Sequence, residues 1–106
     1  MRVRRKRVSL IKEARVELQD SVAFYRVQGD NALGNRFKEQ VALCFKTIRE
    51  NPELYPRTSE VSDVQRCLVR DFPFSILYMN LPKEIVVIAV AHGGRRPEFW
   101  FERLKE

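Results

Sequence analysis

The chain has 106 residues, of which 44% are hydrophobic, and this supplies one hydrophobic core but is too little for two stable domains. The formal net charge is +6, yet five basic residues lie within positions 2–7, so the excess charge belongs to one terminus and is weak evidence for a nucleic-acid partner. No apolar run reaches the ~18 residues that crossing a bilayer requires, and no secretory signal is visible, so we expect one cytoplasmic domain over residues 1–106 with no membrane partner.

The first half of the chain is predicted to contain a short strand and two helices. Residues 3–10 alternate apolar and basic side chains, which is typical of a strand, whereas apolar residues then recur in steps of four, four and three, which predicts a helix over residues 12–28. Asn31 is expected to cap a second helix whose apolar stripe runs to Ile48, and Pro52 ends it by forcing the preceding residue out of helical geometry. We therefore expect two antiparallel helices joined by a tight turn.

The second half is predicted to form three antiparallel strands. Residues 52–63 are rich in Pro, Ser, Thr and Asp and are expected to be a loop. Residues 64–71 follow a period of two, and residues 74–80 form the next strand. A turn containing Pro82 leads to residues 85–91, whose uninterrupted apolar run is typical of a central strand covered on both faces.

The chain ends in a predicted short helix that begins at Pro97 and reaches Leu104, because the fixed φ of proline suits the first helical turn. The order of elements predicts an α+β fold, with an N-terminal strand, an antiparallel helical hairpin packed on an antiparallel sheet, and a short C-terminal helix. Cys44 and Cys67 fall on apolar faces without C-x-x-C spacing, so we expect buried free thiols, a disulfide being the alternative, with no metal site and no cofactor.

Four arginines and one histidine are the candidate target-binding or catalytic residues. Arg66 and Arg70 are in phase on one predicted strand face and can grip a phosphate together or form ion pairs with nearby carboxylates. Arg95 and Arg96 follow two glycines in a loop suited to anion or protein contact. His92 is the only histidine and ends the apolar strand, where it can carry a proton near pH 7 or pack on an aromatic ring.

Three consecutive aromatic residues on the last helix, Phe99, Trp100 and Phe101, are candidates for a protein interaction. A short helix buries at most two of them on one side, so one is expected to stay partly exposed while Trp100 packs in the core. The exposed ring would be a hot spot for a partner protein.

Four segments of the chain, in order and with fitting lengths between them, resemble the RelE/ParE toxin superfamily. The segments are EAR at residues 13–15, ENPELYP at 50–56, RCLVRDFPFSI at 66–76 and AHGGRRPEFW at 91–100. The resemblance covers about residues 8–103 and implies a growth-inhibiting, plasmid-stabilising toxin of a type II toxin–antitoxin module. It also implies a cognate antitoxin that wraps and silences the toxin in a hetero-oligomeric complex.

Two branches of this superfamily differ in their targets. ParE-like members inhibit DNA gyrase without being catalysts, whereas RelE-like members cut messenger RNA on the ribosome, which requires a base and an acid as well as cations on the phosphate. Residues 64–71 contain no lysine and residues 99–101 carry no hydroxyl, which leaves His92 as the sole strong catalytic candidate. We therefore favour the ParE-like branch, with two alternatives: a RelE-like, metal-independent ribonuclease that uses His92, and an inactive member that only binds its antitoxin.

Overall fold

Seven elements make up the part of the chain that the computed structural model describes, which is residues 6–59, 62–93 and 99–104. They are β1 (Arg7–Leu10), α1 (Lys12–Gln28), α2 (Asn31–Glu50), β2 (Gln65–Leu68), β3 (Phe74–Asn80), β4 (Glu84–His92) and a C-terminal 3-10 helix (Phe99–Leu104). This order confirms the predicted α+β fold, and α1 has the predicted bounds. The predicted start of the first strand at residue 3 and of the last helix at Pro97 lies outside the described residues.

The helical hairpin forms because each helix presents an apolar stripe to the sheet, and Asp30 caps the second helix. Asp30 has an extended backbone, with φ −155° and ψ 179°, and its carboxylate accepts a hydrogen bond from the Leu33 N–H at 2.8 Å. This satisfies one of the free donors at the start of α2. The prediction that Asn31 caps α2 is therefore wrong by one position, since Asn31 is already helical.

The four strands form one sheet in the order β1-β4-β3-β2. The prediction of a central apolar strand is confirmed, because β4 lies between β1 and β3. β2, β3 and β4 pair antiparallel as predicted, whereas β1 pairs parallel to β4, with Val8 opposite Ile85. The helical hairpin separates β1 from the other strands along the chain, so no tight turn imposes an antiparallel pairing on it.

The strand predicted over residues 64–71 is shorter, because β2 ends at Leu68. Asp71 adopts φ 70°, in the left-handed region, and turns the chain toward β3. The Val69 N–H donates to the Phe74 carbonyl at 2.9 Å and closes this turn. Arg70 therefore lies in the turn and not on the strand.

The sheet is apolar on both faces and packs against a different element on each. The helical face buries Phe37 and Ile48 of α2 with Ile76 and Val87 of the sheet. On the other face Leu77, Ile88 and Ala89 surround Trp100 of the C-terminal 3-10 helix. A bulge in β4 opposite Leu77 and Tyr78 gives both Ile88 and Ala89 to this second face.

A network of hydrogen bonds fixes the chain where it leaves α2. The buried Gln65 amide donates to the carbonyl oxygens of Pro52 and Tyr55 at 2.7 and 2.8 Å, and the Tyr78 hydroxyl donates to the same Pro52 carbonyl at 2.7 Å. Burial raises the pKa of Tyr78, so its hydroxyl stays protonated and keeps donating. The network holds the residue 50–56 segment against β2 and β3.

No helix within the described residues is long and apolar enough to cross a membrane.

We predict that Phe37→Ala and Ile88→Ala each lower the free energy of unfolding by about 2–5 kcal/mol, because each leaves a cavity in one of the two cores. Val27→Ala is the control, since the Val27 side chain is 78% exposed on α1, and it should change stability by less than about 0.5 kcal/mol. Urea denaturation measures all three variants. A core variant that behaves like the control would show that the burial assignment is wrong.

Candidate functional site

His92, the candidate proton carrier, ends β4 on the helical face of the sheet. Its ring packs edge-on against the buried Phe74 ring, with centroids 5.3 Å apart, and its side chain is exposed. It lines a cavity of about 350 Å³ against α1, together with Asp20, Ser21, Phe24, Tyr25 and Phe74. The pKa of Tyr25 is raised by burial, so this tyrosine keeps its proton at neutral pH and is poorly suited to act as a base.

Arg66 lies on the opposite face of the sheet from His92. Its neighbours Gln65 and Cys67 point toward the helices, so the exposed Arg66 side chain projects from the other face. Its register partner Leu77 belongs to the core around Trp100 on that same face. The predicted phosphate-gripping arginine and the predicted proton carrier are therefore separated by the sheet itself.

Arg70 lies at the end of a groove between α2 and β2 rather than beside Arg66 on a strand face. The carboxylates that were the alternative partners of these arginines contact other arginines: Asp63 lies 3.7 Å from Arg57, and Asp71 lies 3.8 Å from Arg36. Both pairs are more than half exposed, so they contribute little to stability. The candidates Arg95 and Arg96 lie outside the described residues.

The three aromatic residues of the C-terminal 3-10 helix take different positions. Trp100 is buried at 3% exposure, Phe99 is half-buried, and Phe101 is 39% exposed and meets the Trp100 ring edge-on at 4.5 Å. The exposed Leu104 follows one turn later. This arrangement agrees with the expectation that one ring of the three stays exposed, and that ring is Phe101.

An ion pair that the sequence did not reveal holds this helix on the sheet. The Arg103 guanidinium donates to both carboxylate oxygens of Glu17 at 2.9 and 2.7 Å, and the two side chains are only 14% and 16% exposed. The pKa of Arg103 is raised, chiefly by its hydrogen bond to Glu17. Glu17 lies outside the apolar stripe of α1. A solvent-exposed glutamate would have the same spacing, so the sequence pattern could not predict that Glu17 forms a largely buried ion pair.

The same pair satisfies backbone groups of β4 where its neighbouring strand has stopped. β1 ends at Leu10, opposite Val87, while β4 continues. The Val90 N–H donates to Glu17 at 3.0 Å, and the Ile88 carbonyl accepts from Arg103 at 2.9 Å. Two backbone groups of a buried strand therefore depend on one ion pair.

A groove between α2 and the edge strand β2 carries exposed apolar side chains that the predictions did not include as a site. Its volume is about 380 Å³. The lining side chains are Gln40, Leu43, Cys44, Thr47, Tyr55, Cys67, Leu68, Arg70 and Asp71. Leu43 and Leu68 are 53% and 66% exposed. We call this feature the α2–β2 groove.

The described residues bring no three His, Cys, Asp or Glu side chains together as metal ligands would. Cys44 and Cys67 are buried free thiols, as predicted, and the structure places them next to each other.

Comparison with known proteins gives one family. Residues 8–97 match the family model for the ParE toxin of the type II toxin–antitoxin system parDE. A solved structure, that of the chromosomal ParDE TA system from P. aeruginosa, superposes with a TM-score of 0.72 at 18% identity, covering 82% of this chain and 95% of that chain. At that identity the superposition shows a shared fold. No curated protein matches the chain.

We predict that Glu17→Ala lowers the free energy of unfolding by about 2–4 kcal/mol, since it removes the carboxylate that pairs with Arg103 and leaves the Val90 N–H without its acceptor. Glu39→Ala, an exposed glutamate on α2, is the matched control and should change stability by less than about 0.5 kcal/mol. Urea denaturation compares the two, and equal effects would contradict the role of the ion pair.

Proposed function

Because the chain belongs to the ParE toxin family of type II toxin–antitoxin systems, we propose that it inhibits DNA gyrase and is neutralised by a cognate antitoxin. The observation that carries the choice of gyrase over messenger RNA is the position of His92 and Arg66 on opposite faces of the sheet. A ribonuclease needs its proton carriers and its phosphate-binding cations around one scissile bond.

The surroundings of His92 support this choice. Among the described residues, its cavity contains one carboxylate, Asp20, and no lysine or arginine to stabilise the charge of a phosphate. Tyr25 keeps its proton because its pKa is raised by burial. A ribonuclease that used His92 would therefore need cations from outside this cavity. Arg95 and Arg96, within four positions of His92 along the chain, are the candidates for that alternative.

The contact surface that we propose for gyrase is the C-terminal 3-10 helix with the arginines that precede it. Phe101 is exposed, yet its ring rests on the buried Trp100, and the helix is fixed to the sheet by Arg103. A pre-positioned aromatic ring loses little conformational freedom on binding, which is typical of interface hot spots. Arg95 and Arg96, which precede this helix in the sequence, are the charged contacts that we propose with it.

We predict that expression of the wild-type chain raises double-strand DNA breaks before protein synthesis falls, because gyrase poisoning damages DNA first. Pulsed incorporation of labelled amino acids and a terminal-labelling assay for DNA breaks, followed in the same culture, give the order of events. An earlier fall in protein synthesis, with ribosome-dependent cleavage of a message by the purified chain, would favour the RelE-like ribonuclease. Antitoxin binding without either effect would identify an inactive member.

We predict further that His92→Ala retains growth inhibition while Phe101→Ala loses most of it. In the gyrase proposal His92 is an exposed ring at a strand end, whereas Phe101 is the aromatic contact. In a ribonuclease the order reverses, since losing general acid–base assistance typically costs ~10² to 10⁴ in rate. Plating efficiency under graded expression measures both variants, and the denaturation midpoint of each confirms that it is folded.

The antitoxin surface that we propose is the α2–β2 groove. Leu43 and Leu68 offer exposed apolar area beside the cationic Arg70, which suits an amphipathic helix carrying acidic groups. The outer edge of β2 is partly occupied, because the Arg66 N–H donates to the Pro56 carbonyl and Arg57 bridges to Gln65. A helix in the groove therefore fits better than an added strand.

We predict that the chain co-purifies with the product of its neighbouring gene, and that Leu68→Glu weakens this complex at least tenfold by placing a negative charge in the apolar groove. Val27→Glu is the matched control on the exposed face of α1 and should bind normally. Titration calorimetry with each folded variant gives the dissociation constants. Loss of binding in the Val27→Glu variant alone would contradict the groove as the antitoxin site and indicate that the antitoxin binds α1.

A further inference from the structure

The α2–β2 groove contains two thiols from different elements that face each other. Cys44 comes from α2 and Cys67 from β2, and their sulfur atoms lie 3.4 and 3.8 Å from the same acceptor, the Leu68 carbonyl oxygen. The two thiols are close enough for each to shift the pKa of the other. Two sulfur atoms that share one neighbouring oxygen atom lie side by side, which a disulfide requires.

The groove gives the pair access to small molecules. Both cysteines line its cavity of about 380 Å³, although their exposed fractions are only 7% and 2%. A small oxidant such as hydrogen peroxide can therefore enter, while a large thiol reagent is hindered. Tyr55 lines the same cavity and helps to lower the pKa of Cys67.

The two thiols are not equivalent. Interaction with the neighbouring Cys44 thiol lowers the pKa of Cys67 to about 7, helped by Tyr55 and opposed by burial. The pKa of Cys44 is raised by its interaction with Cys67 and by burial, so Cys44 keeps its proton. Reactive cysteines are those with a stabilised thiolate and a path to solvent.

We propose that Cys44 and Cys67 form an oxidisable dithiol site, in which hydrogen peroxide oxidises Cys67 first and Cys44 then closes a disulfide between α2 and β2. The site lies in the groove that we propose for the antitoxin, but the oxidation is a reaction of the free chain and does not rest on the gyrase or antitoxin proposals.

The reaction balances with hydrogen peroxide as the oxidant. The Cys67 thiolate attacks one peroxide oxygen, the O–O bond breaks, and the products are a sulfenic acid and hydroxide, which takes up a proton to become water. The Cys44 sulfur then attacks the sulfenic sulfur, the S–O bond breaks, and hydroxide leaves and combines with the Cys44 proton as a second water. Both sulfurs are oxidised, and one peroxide is reduced to two waters.

The test treats the reduced, folded full-length chain with hydrogen peroxide, quenches it with catalase, and alkylates the denatured product with iodoacetamide. We expect an intact mass lower by two hydrogen atoms, no alkylated cysteine, and a proteolytic fragment that links Cys44 to Cys67 within one chain. The rate should rise with pH through about 7, because the Cys67 thiolate is the attacking group. Two alkylated cysteines, or a disulfide only between chains, would overturn the proposal.

Single variants test the order of the two steps. In Cys44→Ala the sulfenic acid of Cys67 has no resolving thiol, so dimedone present during denaturation should label it, and the oxidation should be slower than in the wild type because Cys44 also lowers the Cys67 pKa. In Cys67→Ala, Cys44 should remain unlabelled and alkylatable. Alanine is used because a buried serine hydroxyl would need a new partner, and each denaturation midpoint confirms folding. Equal dimedone labelling of both variants would contradict the assignment of Cys67 as the first thiol oxidised.

Discussion

The fold depends on one constraint: β4 is buried on both faces, so each of its backbone groups needs a partner within the protein. β3 pairs along one side of it, and β1 pairs along the other only as far as Val87. Beyond that point Glu17 and Arg103 provide an acceptor and a donor for Val90 and Ile88. An unpaired buried amide or carbonyl costs free energy comparable to a lost hydrogen bond. The side chains that satisfy β4 come from α1 and from the C-terminal 3-10 helix, so these hydrogen bonds also hold both helices against the sheet.

The same constraint arranges the surfaces that we propose to be functional. The helical hairpin covers one face of β4, with His92 at its edge, and the C-terminal 3-10 helix covers the other, with Phe101 exposed beyond Trp100. A sheet covered on both faces is a barrier between the groups that project from its two sides. His92 and Arg66 are held apart by it, which favours a toxin that acts by contact over one that acts by proton transfer to RNA.

The sequence predicted most of the fold because periodicity reports directly on burial. The steps of α1 and the unbroken apolar run of β4 were interpreted correctly from spacing alone. Positions that depend on a single dihedral or on a distant partner were missed: the cap at Asp30, the end of β2 at the left-handed Asp71, and the parallel partner of β1. The alternation of residues 64–71 predicted that Arg70 lies on a strand, but β2 ends at Leu68.

For the candidate site, the sequence proposed His92 and predicted one exposed ring among residues 99–101, but it could not show which face of the sheet each would occupy. Glu17 and Arg103 are 86 positions apart, and the pairing of Cys44 with Cys67 arises only when α2 lies over β2. The most direct test of the central claim adds the purified, folded chain to DNA gyrase acting on relaxed plasmid. We predict that the wild-type chain inhibits supercoiling or traps cleaved plasmid, and that the Phe101→Ala variant does neither. Unimpaired supercoiling at a large excess of the wild-type chain would contradict the claim.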